Sequence, residues 1–356
     1  MYSRLNYLRF FLAWSVLAFH TNIHSIPMAG PIAVWCFFFI SGFLISNILY
    51  NHYADRPGDF IVNRFLRIFP AYWAALIIGL TLISLDLPGF LQVYKHSKMP
   101  AGLGSWLRTV FIFTPPFLSN FVPVTKPLVV PVARSLEIEL NWYLILFMGR
   151  FLPKPLTIGL LFAGLLSPLI IFFGLHKPLY GSWAGFPFCL GALAYHFEIR
   201  PPKIIQLISL LALVFMMFVE PVLLHLNVFR MNTLPASFLL LGSVIFLFLS
   251  FRIFLEKKQS SRLSDLAGDL SYPLFLIHLY AVYVAMKWFG VPRLGWMTLT
   301  TVTVLSVILS LLICLLVERP IGRIRKKIRN RSTEEGKLFF LFPLRKNGNQ
   351  FRGLQN

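Results

Sequence analysis

Charge is what this chain has least of. Only 13% of its 356 residues are Asp, Glu, Lys or Arg, and just 13 are acidic; water-soluble domains carry about 25% charged residues. So few charges cannot coat a water-facing surface, which excludes a soluble enzyme, a disordered tail protein and a fibre together. Cysteine is scarce as well. Cys36, Cys189 and Cys314 each fall in an apolar stretch, and none is spaced from another like a metal ligand or disulfide partner, so neither a zinc site nor a disulfide framework is indicated. The short alternating segments of a membrane β-barrel are absent too.

What is present is apolar and aromatic. Hydrophobic residues make up 57% of the chain, with 37 Phe, and the mean hydropathy is +0.72. Apolar runs near membrane length predict spanning helices at 5–25, 31–50, 70–87, 136–152, 155–175, 183–198, 204–226, 234–251, 270–290 and 296–317. The expected fold class is an all-α, polytopic transmembrane bundle of about ten helices. The first run is broken by Arg9, His20 and His24 and has no small-residue cleavage site behind it, so it reads as a retained helix.

The net charge of +20 is distributed by side. With the N-terminus inside, 23 of the 33 Lys and Arg residues fall on the cytoplasmic side and nine outside, with Arg9 within the first span. That asymmetry predicts cytoplasmic N- and C-termini. Two regions follow: a membrane domain over 1–320 and a basic cytoplasmic tail over 321–356, whose expected partners are anionic lipid headgroups rather than nucleic acid. The longest polar interruption, 88–134, is placed outside. Within it Trp106 to Phe121 is aromatic but broken by Pro115 and Pro116, so it is expected to lie in the interface or to re-enter against the bundle.

Ionisable side chains within spans are costly, and each is a candidate functional residue. Arg9 and His20 share the first span. Eleven steps along a helix rotate about 1100°, within about 20° of three full turns, and rise about 16 Å. Both side chains therefore point the same way, Arg9 near the cytoplasmic boundary and His20 in the outer half. The bland alternatives are an arginine that snorkels to headgroups and a histidine in a structural hydrogen bond. His24, four residues on, invites a metal reading, but no third ligand has matching spacing and no metal is expected.

Two further stretches stand out. Arg64 and Arg67 share a helix face ahead of Pro70, which is expected to mark the boundary or first turn of the third span. At an inner entrance such a pair clamps phosphates; alternatively it is ordinary positive-inside anchoring. Glu137 and Glu139 open the fourth span from outside, at the depth expected for His20. A carboxylate there fixes the tautomer of an imidazole and raises its basicity, and Glu139, the deeper of the two, is the stronger candidate.

Taken in order, these residues resemble the acyltransferase-3 family of integral membrane O-acyltransferases. The Arg-x10-His of the first helix matches Arg9 and His20. The phenylalanine-rich Ser-Gly-Phe-Leu segment matches Phe37 to Leu44, and Arg-x-x-Arg-Ile-x-Pro matches Arg64 to Pro70. Ser135, Leu136 and Glu139 fit a Ser-Leu-x-x-Glu element in which Arg134 stands where the family has Trp. Leu270 to His278 resembles the Ser-Tyr-x-Leu-Tyr-Leu-x-His element, and Glu318-Arg319-Pro320 the closing Glu-Arg-Pro. The resemblance implies transfer of an acyl group, in the first instance acetyl, from cytoplasmic acetyl-CoA or another acyl-CoA to a sugar hydroxyl of a cell-surface or lipid-linked glycan, in a bacterial cytoplasmic (inner) membrane. Within it His20 and Glu139 are the expected catalytic residues and Arg9, Arg64 and Arg67 the expected donor-binding ones. The different class left open by the residues is a transporter or flippase of a glycan or lipid precursor, although no half-to-half repeat of broken helices supports it.

The helical phase of Arg9 and His20 makes a prediction of its own. One alanine inserted between them turns His20 by about 100° off the shared face. Acyl ester formed on glycan per unit of inserted protein is then expected to fall as far as in His20→Ala, although every residue is still present.

Overall fold

The computed structural model describes residues 2–21, 28–53, 56–94, 99–112, 129–166, 184–218, 234–256 and 261–329. Among them every regular element is helical: α1 (Ser3–Thr21), α2 (Ala29–Asn51), α3 (Pro57–Val93), α4 (Leu103–Phe111), α5 (Ala133–Gly149), α6 (Lys154–Gly164), α7 (Gly185–Phe197), α8 (Lys203–Phe218), α9 (Leu234–Ser250) with a 3-10 turn at Phe251–Leu255, α10 (Arg262–Phe289) and α11 (Trp296–Ile313). From α11 the chain continues as helix through a π-helical turn, Cys314–Glu318, to residue 329.

Among the described residues the fold is all-helical, the class expected of a polytopic membrane protein. Five helical stretches among the described residues are long and apolar enough to cross a bilayer: Ala29–Asn51, Pro57–Asp86, Phe238–Leu255, Arg262–Phe289 and Trp296–Arg329. Four of the ten expected spans, at 136–152, 155–175, 183–198 and 204–226, correspond to shorter helices of 17, 11, 13 and 16 residues. Apolarity marks lipid-compatible chain, but proline decides where a helix inside it begins. α6 follows Pro153, and α8 follows Pro201 and Pro202, residues that cannot continue an upstream helix. α1 has 19 residues, and Arg4, Asn6, Arg9 and His20 dilute its apolarity.

α1, α3 and α10 run side by side in the same direction. Asn6 reaches Ser264 (3.4 Å) and His20 reaches His278, while Tyr272 donates to the Ile68 carbonyl (2.9 Å) and Tyr283 to Asp86 (2.9 Å). α11 returns antiparallel: Gly295 N–H donates to Thr21 O (2.9 Å), Trp14 donates to Thr303 (3.3 Å), and Arg67 meets Glu318. The core between them is a continuous apolar cluster containing Leu12, Leu17, Ile32, Phe39, Tyr72 and Tyr280, all buried.

The third span departs most from expectation. Helix α3 begins at Pro57 rather than Pro70, so Pro70 sits inside it. Proline is tolerated within membrane helices because neighbouring elements satisfy the freed backbone groups. Arg64 and Arg67 therefore lie on the helix itself, about two turns and one turn before Pro70. The true break comes later, at Asp86, whose backbone is extended (φ −154°, ψ 72°). Pro88 removes a helical hydrogen bond there. Asp86 replaces it: one carboxylate oxygen accepts the Gly89 N–H (3.0 Å), the arrangement of a helix N-cap, and the other accepts from Lys287 and Tyr283, both at 2.9 Å.

Within 88–134, the stretch from Trp106 to Phe121 is the one expected to be interfacial or re-entrant. Helix α4 packs against α3, its Thr109 carbonyl accepting from the Tyr72 hydroxyl and its Val110 carbonyl from Trp73 Nε1 (2.9 Å). Those α3 residues lie roughly 23 Å along the helix from Pro57, so α4 meets the bundle well away from the end of α3. Residues 113–128, with Pro115 and Pro116, lie outside the described residues, as do 22–27 with His24 and the chain beyond 329.

Helices α2 and α7 cross through glycine. A Cβ at Gly42 would collide with the Phe188 carbonyl, and one at Gly191 with the Phe39 carbonyl. Backbone cannot swing aside as a side-chain tip can, so the two positions fix the close approach. Phe38 and Trp142 then stack on Phe188 at 5.0 and 5.6 Å. Gly42→Ala or Gly191→Ala is expected to force the helices apart and cost on the order of 1–3 kcal/mol, read as a lower unfolding temperature in detergent. Gly159→Ala, where a Cβ meets nothing within 4 Å, should leave that temperature unchanged.

Candidate active site

Charged side chains on membrane helices must turn toward one another or toward water. Here they turn toward one space. A cavity of about 550 Å³ is lined by Arg9 of α1, Arg64 and Arg67 of α3, Ser41 of α2, Glu139 of α5 and Tyr272 of α10. Four of the five expected site residues therefore share one enclosure, drawn from α1, α3 and α5.

The partners divide the arginines. Arg67 is committed: its Nη1 lies 2.8 Å from Glu318 Oε2, with side chains only 17% and 9% exposed, and its guanidinium lies over the Tyr272 ring at 5.5 Å. The π-helical turn ending at Glu318 brings that carboxylate there, as such turns shift the phase of a helix by one residue. Arg64 sits over Phe60 at 5.8 Å, and its buried Nε has no hydrogen-bond partner. Neither Arg9 nor Arg64 has an ion-pair partner among the described residues. These two guanidiniums are left with donors to offer to a ligand.

Glu139 accepts hydrogen bonds from Ser41 Oγ (2.6 Å) and from the Tyr143 hydroxyl. The carboxylate is fixed on the cavity wall, facing the arginines. It is not beside His20, where sequence reasoning expected it. The cause is how far in α5 begins. The Val129 carbonyl just ahead of α5 accepts from Tyr280 (3.1 Å), two residues beyond His278, so α5 starts at the depth of the histidines. Glu139, six residues into the helix, is carried about 9 Å farther toward the end of the bundle that bears the N-terminus. Glu137 is not among the residues lining the cavity.

His20 has a different partner. Its ring stacks on that of His278 (5.1 Å between centroids, 28° between planes) and meets the edge of Phe19 at 4.9 Å. His278 is fully buried. Its Nδ1 lies 2.9 Å from the Phe275 carbonyl, which makes Nδ1 the protonated nitrogen and leaves Nε2 an acceptor. That Nε2 has no partner. Sequence reasoning did not single out His278, because its match in depth to His20 shows only once α1 and α10 are known to run parallel. His20 is 17 residues into α1 and His278 is 16 into α10. In parallel helices both rise roughly 25 Å from the inner end, so they had to lie at one depth.

The cavity and the histidine pair are neighbours, not one chamber. His20 is not among the cavity-lining residues, whereas Phe275 is. Phe275 packs on Phe37 (6.0 Å) and, three residues before His278, also approaches that ring (6.3 Å). An aromatic pair thus separates a cation-rich cavity, toward the N-terminal ends of α1 and α10, from an imidazole pair farther along those helices.

A family model described as an acyltransferase domain, acyltransferase-3, matches residues 2–319. No curated protein matches, and no solved structure does.

The pairing of Arg67 with Glu318 yields a stability prediction. Arg67→Ala leaves a mostly buried carboxylate unpaired, and removing one partner of such a pair costs about 3–5 kcal/mol. Its unfolding temperature in detergent is expected to drop sharply, with Arg67→Lys recovering part of the loss. Arg64→Ala, which strands no carboxylate, should unfold close to wild type; equal losses in both variants would refute the division of roles.

Proposed function

Because the chain belongs to the acyltransferase-3 family, we propose that it moves an acyl group, in the first instance acetyl, from cytoplasmic acyl-CoA to a sugar hydroxyl of a cell-surface or lipid-linked glycan at the outer face of a bacterial inner membrane. The observation that carries this reading is the division of labour along parallel helices. Arginines with unused donors face the inner cavity, and an imidazole pair lies farther out behind Phe275.

The chemistry suits that order. The donor is heavily anionic, and planar guanidiniums bind phosphate oxygens two at a time. Arg9 and Arg64 hold the donor, with Arg67 completing the wall while bound to Glu318. Glu139, anchored by Ser41 and Tyr143, keeps the arginines turned inward and balances part of their charge when the cavity is empty. The thioester end extends outward past Phe275 toward His20.

Attack of a neutral hydroxyl on a thioester needs a base, because the alcohol oxygen is a poor nucleophile until its proton leaves. His20 accepts that proton as the oxygen–carbon bond forms. The carbon–sulfur bond then breaks, and the proton passes from the imidazole to the departing thiolate. His278 is a positioning residue: with Nδ1–H held by the Phe275 carbonyl, its stacked ring keeps His20 in place.

The test uses membranes supplied with acyl-labelled acyl-CoA and acceptor glycan, scored by mass analysis for ester on the glycan. Wild type should consume donor and label glycan. General-base loss typically costs about 10²–10⁴-fold, so His20→Ala should fall that far at normal abundance. His278→Ala should lose less, and its activity should show an altered pH profile. Full activity in His20→Ala sinks the base assignment; labelled ester trapped on the protein makes His20 an acyl carrier instead. Movement of unmodified glycan with no donor consumed indicates a transporter.

A further inference from the structure

The helix that carries Glu318 does not stop there. It continues to Arg329, ten residues past the end of the family-matched segment at 319. Gly322, Arg325, Lys326 and Arg329 all line the inner cavity. Their spacing of i, i+3, i+4 and i+7 is one face of an α-helix. A stretch that composition marks as the start of a basic tail is thus part of the cavity wall.

Its position is held by an exchange of hydrogen bonds with α3. The buried Asn63 amide donates to the Arg325 carbonyl (3.1 Å), and Arg325 Nε lies 3.4 Å from Asn63 Oδ1. A Cβ at Gly322 would meet nothing within 4 Å, so this face looks into open space. Opposite it are two polar atoms with no partner, Nε of Arg64 and the hydroxyl of Tyr53, whose side chain is 1% exposed. Both residues line the same cavity. Six Lys and Arg residues line it (Arg9, Arg64, Arg67, Arg325, Lys326 and Arg329) against two carboxylates, Glu139 and Asp269.

Buried donors left without partners, in an excess of positive charge, call for a ligand with many acceptor oxygens and negative charge. We propose that Arg325, with Lys326, Arg64 and the Tyr53 hydroxyl, forms a phosphate-binding site at the inner end of the cavity, and that it recognises the phosphorylated nucleotide end of the acyl donor. This rests on the donor reading above and deepens it. The cavity binds the donor at two ends: phosphates on the helical extension and Arg64, and the acyl-bearing arm directed outward past Arg9. The same phosphate chemistry occurs in anionic lipid headgroups of the inner leaflet, so the test must separate the two sources.

The full chain is reconstituted in neutral-lipid nanodiscs and turnover is measured against concentration of acetyl-CoA and of its 3′-dephospho form. A charge-assisted hydrogen bond contributes enough for roughly tenfold or more in affinity. Wild type should therefore need about tenfold more of the dephospho donor. Arg325→Gln, which keeps a side-chain donor for Asn63, should raise the acetyl-CoA requirement about tenfold and close the gap between donors, with little loss of saturated turnover. Lys326→Gln should act the same way more weakly. In parallel, adenosine 3′,5′-bisphosphate should raise the unfolding temperature of wild type and not of Arg325→Gln.

Equal use of both donors by wild type, or an undiminished gap in Arg325→Gln, overturns the site. An Arg325→Gln defect that appears only when anionic lipid is present assigns the face to headgroups and overturns the nucleotide reading. Absence of turnover with every donor, together with bisphosphate binding that Arg325→Gln abolishes, keeps the phosphate site and removes the acyl-transfer reading.

Discussion

The ion pair between Arg67 and Glu318 holds the inner half of the molecule together. Two opposite charges on different helices, 2.8 Å apart and nearly shut off from solvent, each strand the other if separated, which costs more than either contributes alone. That pair fixes the terminal helix against α3 at one register. Everything inward of it follows. The π-helical turn sets the phase of the next three turns, Asn63 latches Arg325, and the face bearing Gly322 is aimed at the cavity. Because Arg67 is spent on this contact, Arg9 and Arg64 rather than Arg67 keep donors free on the α1 and α3 walls.

A second constraint acts on the outer half. Parallel helices of similar starting level bring residues of equal rise to equal depth. α1 and α10 do so for His20 and His278, and α3 and α10 for Ile68 and Tyr272. The outer end of α3 is bent by Pro88 and recapped by Asp86, and the same carboxylate clamps α10. The aromatic pair Phe37 and Phe275 stands between the histidines and the cavity. It separates a cation-rich cavity from an imidazole pair.

Close packing of α2 on α7 supports both halves. Gly42 and Gly191 let the backbones approach until carbonyls would touch any Cβ, while Ser41, the neighbour of Gly42, lies 2.6 Å from Glu139 of α5. The Ser-Gly pair thus has two jobs on adjacent faces: the glycine sets a helix crossing, and the serine anchors a carboxylate. A larger residue at Gly42 would move the acid as well as the helix.

Membrane character, helical class and most of the cavity were legible in the sequence. A chain with so few charges has one solvent that suits it. Each ionisable residue kept in an apolar helix, Arg9, Arg64, Arg67 and Glu139 among them, had to face inward and so had to meet the others. What sequence could not supply was depth and partnership. The level at which α5 begins, set by Val129 against Tyr280, took Glu139 away from His20 and into the cavity. The parallel run of α10 gave His20 a histidine instead. Helical continuity past Glu318, which composition reads as a change to tail, turned Arg325 inward. Those outcomes belong to tertiary structure because each depends on where one helix stops relative to another. That offset is set by contacts between residues far apart in the chain, and no local pattern of apolarity or charge contains it.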